Sequence, residues 1–204
     1  MFVQKYVYMN INTQKISLRE KFTIHVMGML EFHQLMTKSD FNDSNIEDQT
    51  KLAIISITGG EPSDKHYFKR SHANVLNISF YDIDEAVEIS GVKHEPITVE
   101  QARRIIDFIE VNQNKNYIIH CVAGVSRSGA VAQFITDFYG WADKSTFNYQ
   151  YGKKIIPNTI VRKRLKEEWI GKHSKLDINE YQEMLKQNEV QTLEVKEKED
   201  GENT

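Results

Sequence analysis

Three short runs of apolar, largely β-branched residues set the strongest constraint on how this chain folds. They cover residues 52–57, 75–80 and 117–121. Each run has the length of a buried strand, and the segments between and after them repeat apolar residues at helical spacing. Buried strands that alternate with amphipathic helices form a sheet with helices on both faces. The sequence therefore predicts a three-layer α/β domain with a central, mostly parallel sheet.

The clearest helix start lies between the second and third runs. Thr98 and Gln101 form a capping-box pair, followed by apolar residues at helical spacing over 102–109. This pattern predicts a helix whose first turn is fixed by side-chain hydrogen bonds. Further helices are predicted over residues 128–141 and 157–169.

The N-terminal part of the chain gives weaker signals. Residues 21–27 predict a strand, and Gly28 is expected to start a short helix. The polar stretch 38–49 predicts a loop, and Gly59 and Gly60 predict a turn after the first apolar run. The apolar face of the short helix is expected to carry Leu30, Phe32, Leu35 and Met36.

The chain is predicted to form one domain, because neither a linker nor an internal repeat divides it. Residues 1–50 are assigned to an N-terminal part of that domain, and residues 51–172 to its core. Residues 173–190 predict a C-terminal helix. Residues 191–204 are polar and mostly charged, which predicts a disordered acidic tail.

Composition excludes several classes of protein. The net charge of −3 removes the simplest electrostatic argument for nucleic-acid binding. A single cysteine excludes an internal disulfide and a thiolate zinc cluster, and the histidines lack metal-ligand spacing, so no metal is assigned. No apolar run approaches the ~20 residues that cross a bilayer. The N-terminus also lacks the pattern of a signal peptide, so a soluble, cytoplasmic protein is expected.

The segment His120–Gly129 contains the residues best suited to bind an anion and to act as a nucleophile. It lies between the most apolar predicted strand and an amphipathic helix, where the helix dipole and main-chain N–H groups favour an anion. Gly124 allows the backbone to bend there. Arg127 offers a planar fork that matches two phosphoryl oxygens, and the same positive surroundings favour the thiolate form of Cys121. A thiolate and a guanidinium on one anion-binding loop are what phosphoryl transfer to sulfur requires.

This segment resembles the His-Cys-x-x-Gly-x-x-Arg-Ser/Thr signature of the cysteine-based protein tyrosine and dual-specificity phosphatases, especially small microbial or viral members. The resemblance extends over about residues 50–170. It implies that Cys121 is the nucleophile, that His120 supports the loop from behind, and that Ser128 donates a hydrogen bond to the thiolate. It also implies a phosphate-binding loop made of Val122, Ala123, Gly124, Val125, Ser126 and Arg127.

The resemblance also implies a carboxylic acid that protonates the leaving oxygen. In the family, one helix precedes the signature, and a strand precedes that helix. The aspartate lies on the loop that follows this strand. Asp82 comes directly after the second apolar run and is the favoured candidate, with Asp84 as the alternative. Both carboxylates could instead only solvate a loop.

A second match to the dual-specificity phosphatases lies beyond the signature. Pro157 and Asn158 open a predicted helix, and the resemblance implies that Asn158 braces the phosphate loop. A plain helix N-cap is the competing interpretation of Asn158. Thr159 and Ile160 depart from the usual continuation of the family motif, which leaves the register of this helix open.

The resulting hypothesis is a phosphomonoester hydrolase that uses no cofactor and acts on phosphorylated protein. The loop lacks lysine and a second arginine, which disfavours a phosphoinositide; an RNA 5′-phosphate is the other alternative substrate. Nucleic-acid contact is the less favoured interpretation of a basic stretch, which is better explained as a solvated helix face. That stretch contains Lys153, Lys154, Arg162, Lys163, Arg164 and Lys166. The competing class is a catalytically silent module that binds phosphorylated partners.

Overall fold

The structure, a computed structural model, describes residues 22–59, 65–113, 115–139, 149–150 and 153–174. The strands are β1 (Ile24–Gly28), β2 (Leu52–Thr58), β3 (Val75–Ser79), β4 (Val87–Ile89), β5 (Val92–His94), β6 (Asn116–Cys121), β7 (Tyr149–Gln150) and β8 (Lys153–Lys154). The helices are α1 (Met29–Lys38), α2 (Val99–Val111), α3 (Arg127–Tyr139) and α4 (residues 159–174), with a 3₁₀ turn at Ile46–Asp48.

Four parallel strands form the central sheet in the order β1-β6-β2-β3. The strand that leads into the signature segment, β6, therefore lies between β1 and β2. Its register with β2 places Ile54 beside Ile118 and Ser56 beside His120. The carboxyl end of β6 is thus in the middle of the sheet edge, where neighbouring strands also end.

Alternation along the strands divides the core into two layers, because successive side chains point to opposite faces. Ile54 and Ile118 lie in the same buried cluster as Phe32 and Met36 of α1. On the other face, Ala53, Ile55, Ile57, Tyr117, Ile119 and Cys121 lie in a cluster with α2, α3 and α4. The predicted α/β architecture, a parallel sheet flanked by helices, is confirmed.

The capping box of α2 is present as predicted. The Thr98 hydroxyl accepts from the Gln101 main-chain N–H at 3.2 Å, and the Gln101 side-chain oxygen accepts from the Thr98 N–H at 2.9 Å. The Gln101 amide nitrogen also donates to the Ser79 carbonyl oxygen at 2.6 Å. The same side chain therefore starts the helix and ties it to the end of β3.

Several expectations need correction. Leu30 was assigned to the buried face of α1, but its side chain is 72 % exposed, while Phe32 and Met36 are fully buried. The predicted helix over 157–169 extends over residues 159–174 in the described part of the chain. The sequence also gave no sign of the β4–β5 hairpin, which is antiparallel and carries exposed valine and isoleucine side chains.

Some predictions fall on residues outside the described ranges. These are the structure of residues 1–21, Gly60, residues 140–141 of the predicted third helix, and residues 175–204 with most of the predicted C-terminal helix and the whole tail. Residues 173–174, assigned to that C-terminal helix, belong to α4 instead. No helix within the described ranges has the length and apolar character needed to cross a membrane.

A histidine whose side chain is 6 % exposed joins two connecting segments on the α1 side of the sheet. His72 lies between two carboxylates, with its Nε2 at 2.8 Å from Asp43 and its Nδ1 at 3.3 Å from Glu47. The Asp43 carboxylate also accepts hydrogen bonds from the main-chain N–H groups of Lys69 and Arg70. The hydrogen bond from His72 is the largest cause that lowers the pKa of Asp43 from 3.8 to about 2.

Because the pKa of Asp43 is lower in the folded state, its charge stabilises the fold above pH 3.8, and this contribution is lost as the pH falls towards about 2. We expect Asp43→Asn to reduce the free energy of unfolding most at about pH 6 and progressively less below about pH 4. Urea unfolding of both proteins across this range measures the difference. Asp48→Asn is the matched control, because the Asp48 side chain has no hydrogen bond or ion pair within the described residues. A difference that stays constant down to pH 2 would contradict the role given to Asp43.

Candidate functional site

The loop of residues 121–127 connects the end of β6 to the start of α3. Because β6 is a central strand, the loop is bordered by the ends of β1 and β2. Ligands of open α/β sheets bind at such carboxyl ends. The structure therefore places the residues singled out by the sequence at the position where this type of fold forms sites.

Cys121 is the buried residue at the start of this loop, with 1 % of its surface exposed. Its Sγ lies 3.1 Å from the Ser128 hydroxyl. Burial alone raises the pKa of the thiol, but the Ser128 hydroxyl, the main-chain N–H groups of Ser128 and Val125, and the charge of Arg127 act against it. Their combined effect lowers the pKa of Cys121 below its ordinary value. The local arrangement thus favours a thiolate.

Gly124 lets the loop lie directly against the β1–α1 junction. Its φ of +71° is in the left-handed region, and a Cβ there would lie 2.3 Å from the Gly28 nitrogen. The Met29 N–H also donates to the Val122 carbonyl oxygen at 3.2 Å. The glycine of the signature is therefore required both for backbone conformation and for close approach.

Arg127 is held by main-chain carbonyl groups at the ends of two strands. Its Nη1 donates to the oxygen of Thr58 at 3.1 Å and to that of Phe80 at 2.7 Å. The side chain is buried, and its Nε has no hydrogen-bond partner within the described part of the molecule. One end of the guanidinium is thus anchored, while its Nε is buried without a hydrogen bond, 3.9 Å from Asp82 Oδ2.

Asp82 contacts the loop, whereas Asp84 does not. One Asp82 carboxylate oxygen, Oδ1, accepts from the Ser126 hydroxyl at 2.7 Å and from the Asn158 side-chain amide at 2.8 Å. The other, Oδ2, lies 3.9 Å from Arg127 Nε. Asp84 is exposed and makes no hydrogen bond or ion pair in the described residues. Of the two candidate carboxylates, only Asp82 contacts the loop and lies near the guanidinium of Arg127.

Asn158 combines the two roles that the sequence left as alternatives. Its Oδ1 accepts from the Val161 main-chain N–H at 2.8 Å, which caps α4, and its Nδ2 donates to Asp82. The Asn158 main-chain N–H donates to the Ser126 carbonyl oxygen at 3.2 Å. Separate atoms of one residue therefore cap the helix, brace the loop and hold the carboxylate.

His120 lies behind the loop, on the α1 side of the sheet. Its ring stacks on Phe32 with centroids 4.0 Å apart, and neither ring nitrogen has a hydrogen-bond partner in the described part of the chain. Burial lowers the pKa of His120 to about 3, so the ring is neutral at ordinary pH. It acts here as a packing residue beneath Cys121.

A polar network beneath Arg127 is a feature that the sequence analysis missed. The Thr58 hydroxyl lies 2.6 Å from that of Ser79 and 3.3 Å from His66 Nε2, and Ser56 lies 2.8 Å from His66 Nδ1. Thr58 also supplies a carbonyl oxygen to Arg127. The available signal was the presence of a serine and a threonine inside the otherwise apolar run of β2.

The remaining predicted positions have simpler surroundings. Val122 is half-exposed at the loop surface, while Ala123 is exposed and Val125 is intermediate. In the basic stretch, Arg162 pairs with Asp137 of α3 at 3.6 Å, and Lys163 pairs with Glu167 at 3.9 Å. Among the residues that the structure describes, no group of three or more histidine, cysteine, aspartate or glutamate side chains could hold a metal ion.

Comparison with protein-family models finds no match, and a search of curated protein sequences also finds none. The functional interpretation therefore depends on the geometry of the site and on the signature residues.

The hydroxyl of Ser128 should control the ionisation of the thiol. We expect Ser128→Ala to raise the midpoint of Cys121 ionisation, because a hydrogen bond to the thiolate is lost. The ultraviolet absorbance of the thiolate measures this midpoint, and the chain has one cysteine. Ser126→Ala is the control, because its hydroxyl faces Asp82. Equal midpoints for wild type and Ser128→Ala would contradict the assignment.

Proposed function

We propose that this protein is a phosphomonoester hydrolase that acts through a cysteinyl-phosphate intermediate. The observation that carries the proposal is that one loop has at its two ends a buried thiol of lowered pKa and a guanidinium anchored through Nη1. A thiolate is the nucleophile of such chemistry, and donors fixed in advance stabilise charge on the transferred group. Cys121 and Arg127 flank the loop that would hold the phosphoryl oxygens.

In the first step, Cys121 Sγ attacks phosphorus and the bond from phosphorus to the ester oxygen breaks. Arg127 and the main-chain N–H groups of the loop bind the non-bridging oxygens. Asp82, as the carboxylic acid, gives its proton to the departing oxygen. The alcohol or phenol leaves, and the phosphoryl group is bound to sulfur.

In the second step, water hydrolyses the phosphocysteine. The Asp82 carboxylate accepts a proton from water, whose oxygen attacks phosphorus while the bond to sulfur breaks. The Ser128 hydroxyl, 3.1 Å from Sγ, stabilises the thiolate that leaves. Inorganic phosphate is released, and the proton on Asp82 restores the acid for the next cycle.

The proposed substrate is a phosphorylated protein, which makes the chain a tyrosine or dual-specificity phosphatase of the cytoplasm. The side chains of the loop are apolar or small, which suits a single phosphate monoester better than a highly charged inositol lipid. The basic stretch around α4 is better explained as a solvated helix face than as an RNA contact, so an RNA 5′-phosphate is the alternative substrate. A silent module that only binds phosphorylated partners is the competing function, and turnover of a small aryl phosphate discriminates between them.

Cys121→Ser should abolish turnover while binding of a phosphate ester persists, because a hydroxyl is not ionised at neutral pH. Arg127→Lys should be severely impaired, because a point charge does not reproduce the planar fork. Turnover is measured as release of phosphate from an aryl phosphate in the presence of EDTA. Binding is measured by calorimetry with a phosphopeptide. Near wild-type turnover in Cys121→Ser would exclude the covalent mechanism.

Asp82→Asn should reduce turnover by about 10²–10⁴-fold on phenyl or alkyl phosphates, whose leaving oxygens are basic. The effect on a nitrophenyl-type ester should be much smaller, and the basic limb of the pH–rate profile should flatten. Asp84→Asn is the matched control, because Asp84 is exposed and contacts nothing in the described site. If Asp84→Asn gave the large effect instead, the roles of the two carboxylates would be exchanged.

A further inference from the structure

The two oxygens of the Asp82 carboxylate have different surroundings. Oδ1 accepts two hydrogen bonds, from Ser126 at 2.7 Å and from Asn158 at 2.8 Å. Oδ2 has no hydrogen bond within the described residues and lies 3.9 Å from Arg127 Nε. A carboxylic acid carries one proton, and an oxygen that already accepts from two donors is the poorer place for it. The free position is therefore Oδ2, on the side of the guanidinium.

The two residues that carry the donors are held by contacts that do not involve Asp82. The main-chain N–H of Val161 can only donate, so the atom of Asn158 that meets it must be the amide oxygen. This leaves Nδ2 directed at Asp82. Ser126 is held through its carbonyl oxygen, which accepts from Asn158 at 3.2 Å and from Ala130 of α3 at 2.9 Å. The starts of α3 and α4 thus set the positions of the two donors.

We infer that Ser126 and Asn158 are positioning residues that orient Asp82 and assign its transferable proton to Oδ2. The inference rests on the proposed phosphatase function. In the first step the proton passes from Oδ2 to the leaving oxygen, and in the second Oδ2 accepts a proton from water. The two hydrogen bonds to Oδ1 stabilise the carboxylate that exists between these steps.

The capping role and the positioning role of Asn158 can be separated by substitution. Asn158→Ser keeps an oxygen that caps α4 but removes the amide that reaches Asp82, whereas Asn158→Ala removes both. We expect both variants to lower kcat about tenfold on phenyl phosphate and less than about twofold on a nitrophenyl ester, since part of the acid catalysis is lost. Only Asn158→Ala should lower the urea midpoint of unfolding markedly.

Ser126 provides an independent test of the same inference. Ser126→Ala should show the same selective loss of kcat on phenyl phosphate as Asn158→Ser. Ser126→Thr keeps a hydroxyl and should retain the wild-type kcat. In the Asp82→Asn variant, neither Asn158→Ser nor Ser126→Ala should further change the ratio of kcat on phenyl phosphate to kcat on the nitrophenyl ester. Their effect requires the carboxylic acid of Asp82.

The outcomes separate this inference from the proposed function. If Asn158→Ser had the wild-type ratio of kcat on phenyl phosphate to kcat on the nitrophenyl ester, Asn158 would be only a helix cap. The inference would then be overturned, and the phosphatase function would be unaffected. A selective loss that persists in the Asp82→Asn background would also overturn it, because the donors would then act through another group. Absence of any turnover by the wild-type chain would overturn both proposals.

Discussion

Arg127 lies almost entirely out of solvent, and its Nη1 donates to carbonyl oxygens where β2 and β3 end. A buried charge without such partners costs several kcal/mol, so the guanidinium needs these acceptors. These contacts fix the start of α3 relative to β2 and β3, although α3 directly follows β6 in the sequence. Asp82 comes two residues after Phe80, so the same anchor also sets the distance between the carboxylate and the loop. The geometry of the site therefore follows from how one cation is accommodated.

The parts of the structure that local sequence determines were predictable. The apolar runs of the sheet and the Thr98–Gln101 capping box involve residues close together in the chain, so spacing alone reveals them. The same holds for residues 120–129, where a strand, a glycine-containing turn and a helix follow each other. Asp82 was favoured by its place after a strand, and the structure brings it to the loop.

The parts that depend on distant residues were not predictable. Asn158 meets Asp82 across 76 positions of the chain, and nothing in either local sequence indicates that contact. The network of Ser56, Thr58 and His66 depends on which face of β2 the hydroxyls take, and this is set by packing against α1 and its neighbours. Leu30 follows the helical period but lies in the first turn of α1, and its side chain remains exposed. The period of apolar residues predicts on which face of a helix a side chain lies. It does not predict whether another element buries that side chain.

The order of the sheet also has a consequence for the assembly of the chain. Within the described residues β1 pairs with β6 alone, and β6 joins it to β2, so the N-terminal strand has no lateral partner until residue 121 has been synthesised. Contacts of such long sequence separation form late and slow folding. Cys121 ends β6, and Arg127 and Ser128, which lower the pKa of the thiol, follow that strand in the chain. The environment that lowers the pKa of the thiol therefore depends on residues that come after the strand joining β1 to the rest of the sheet.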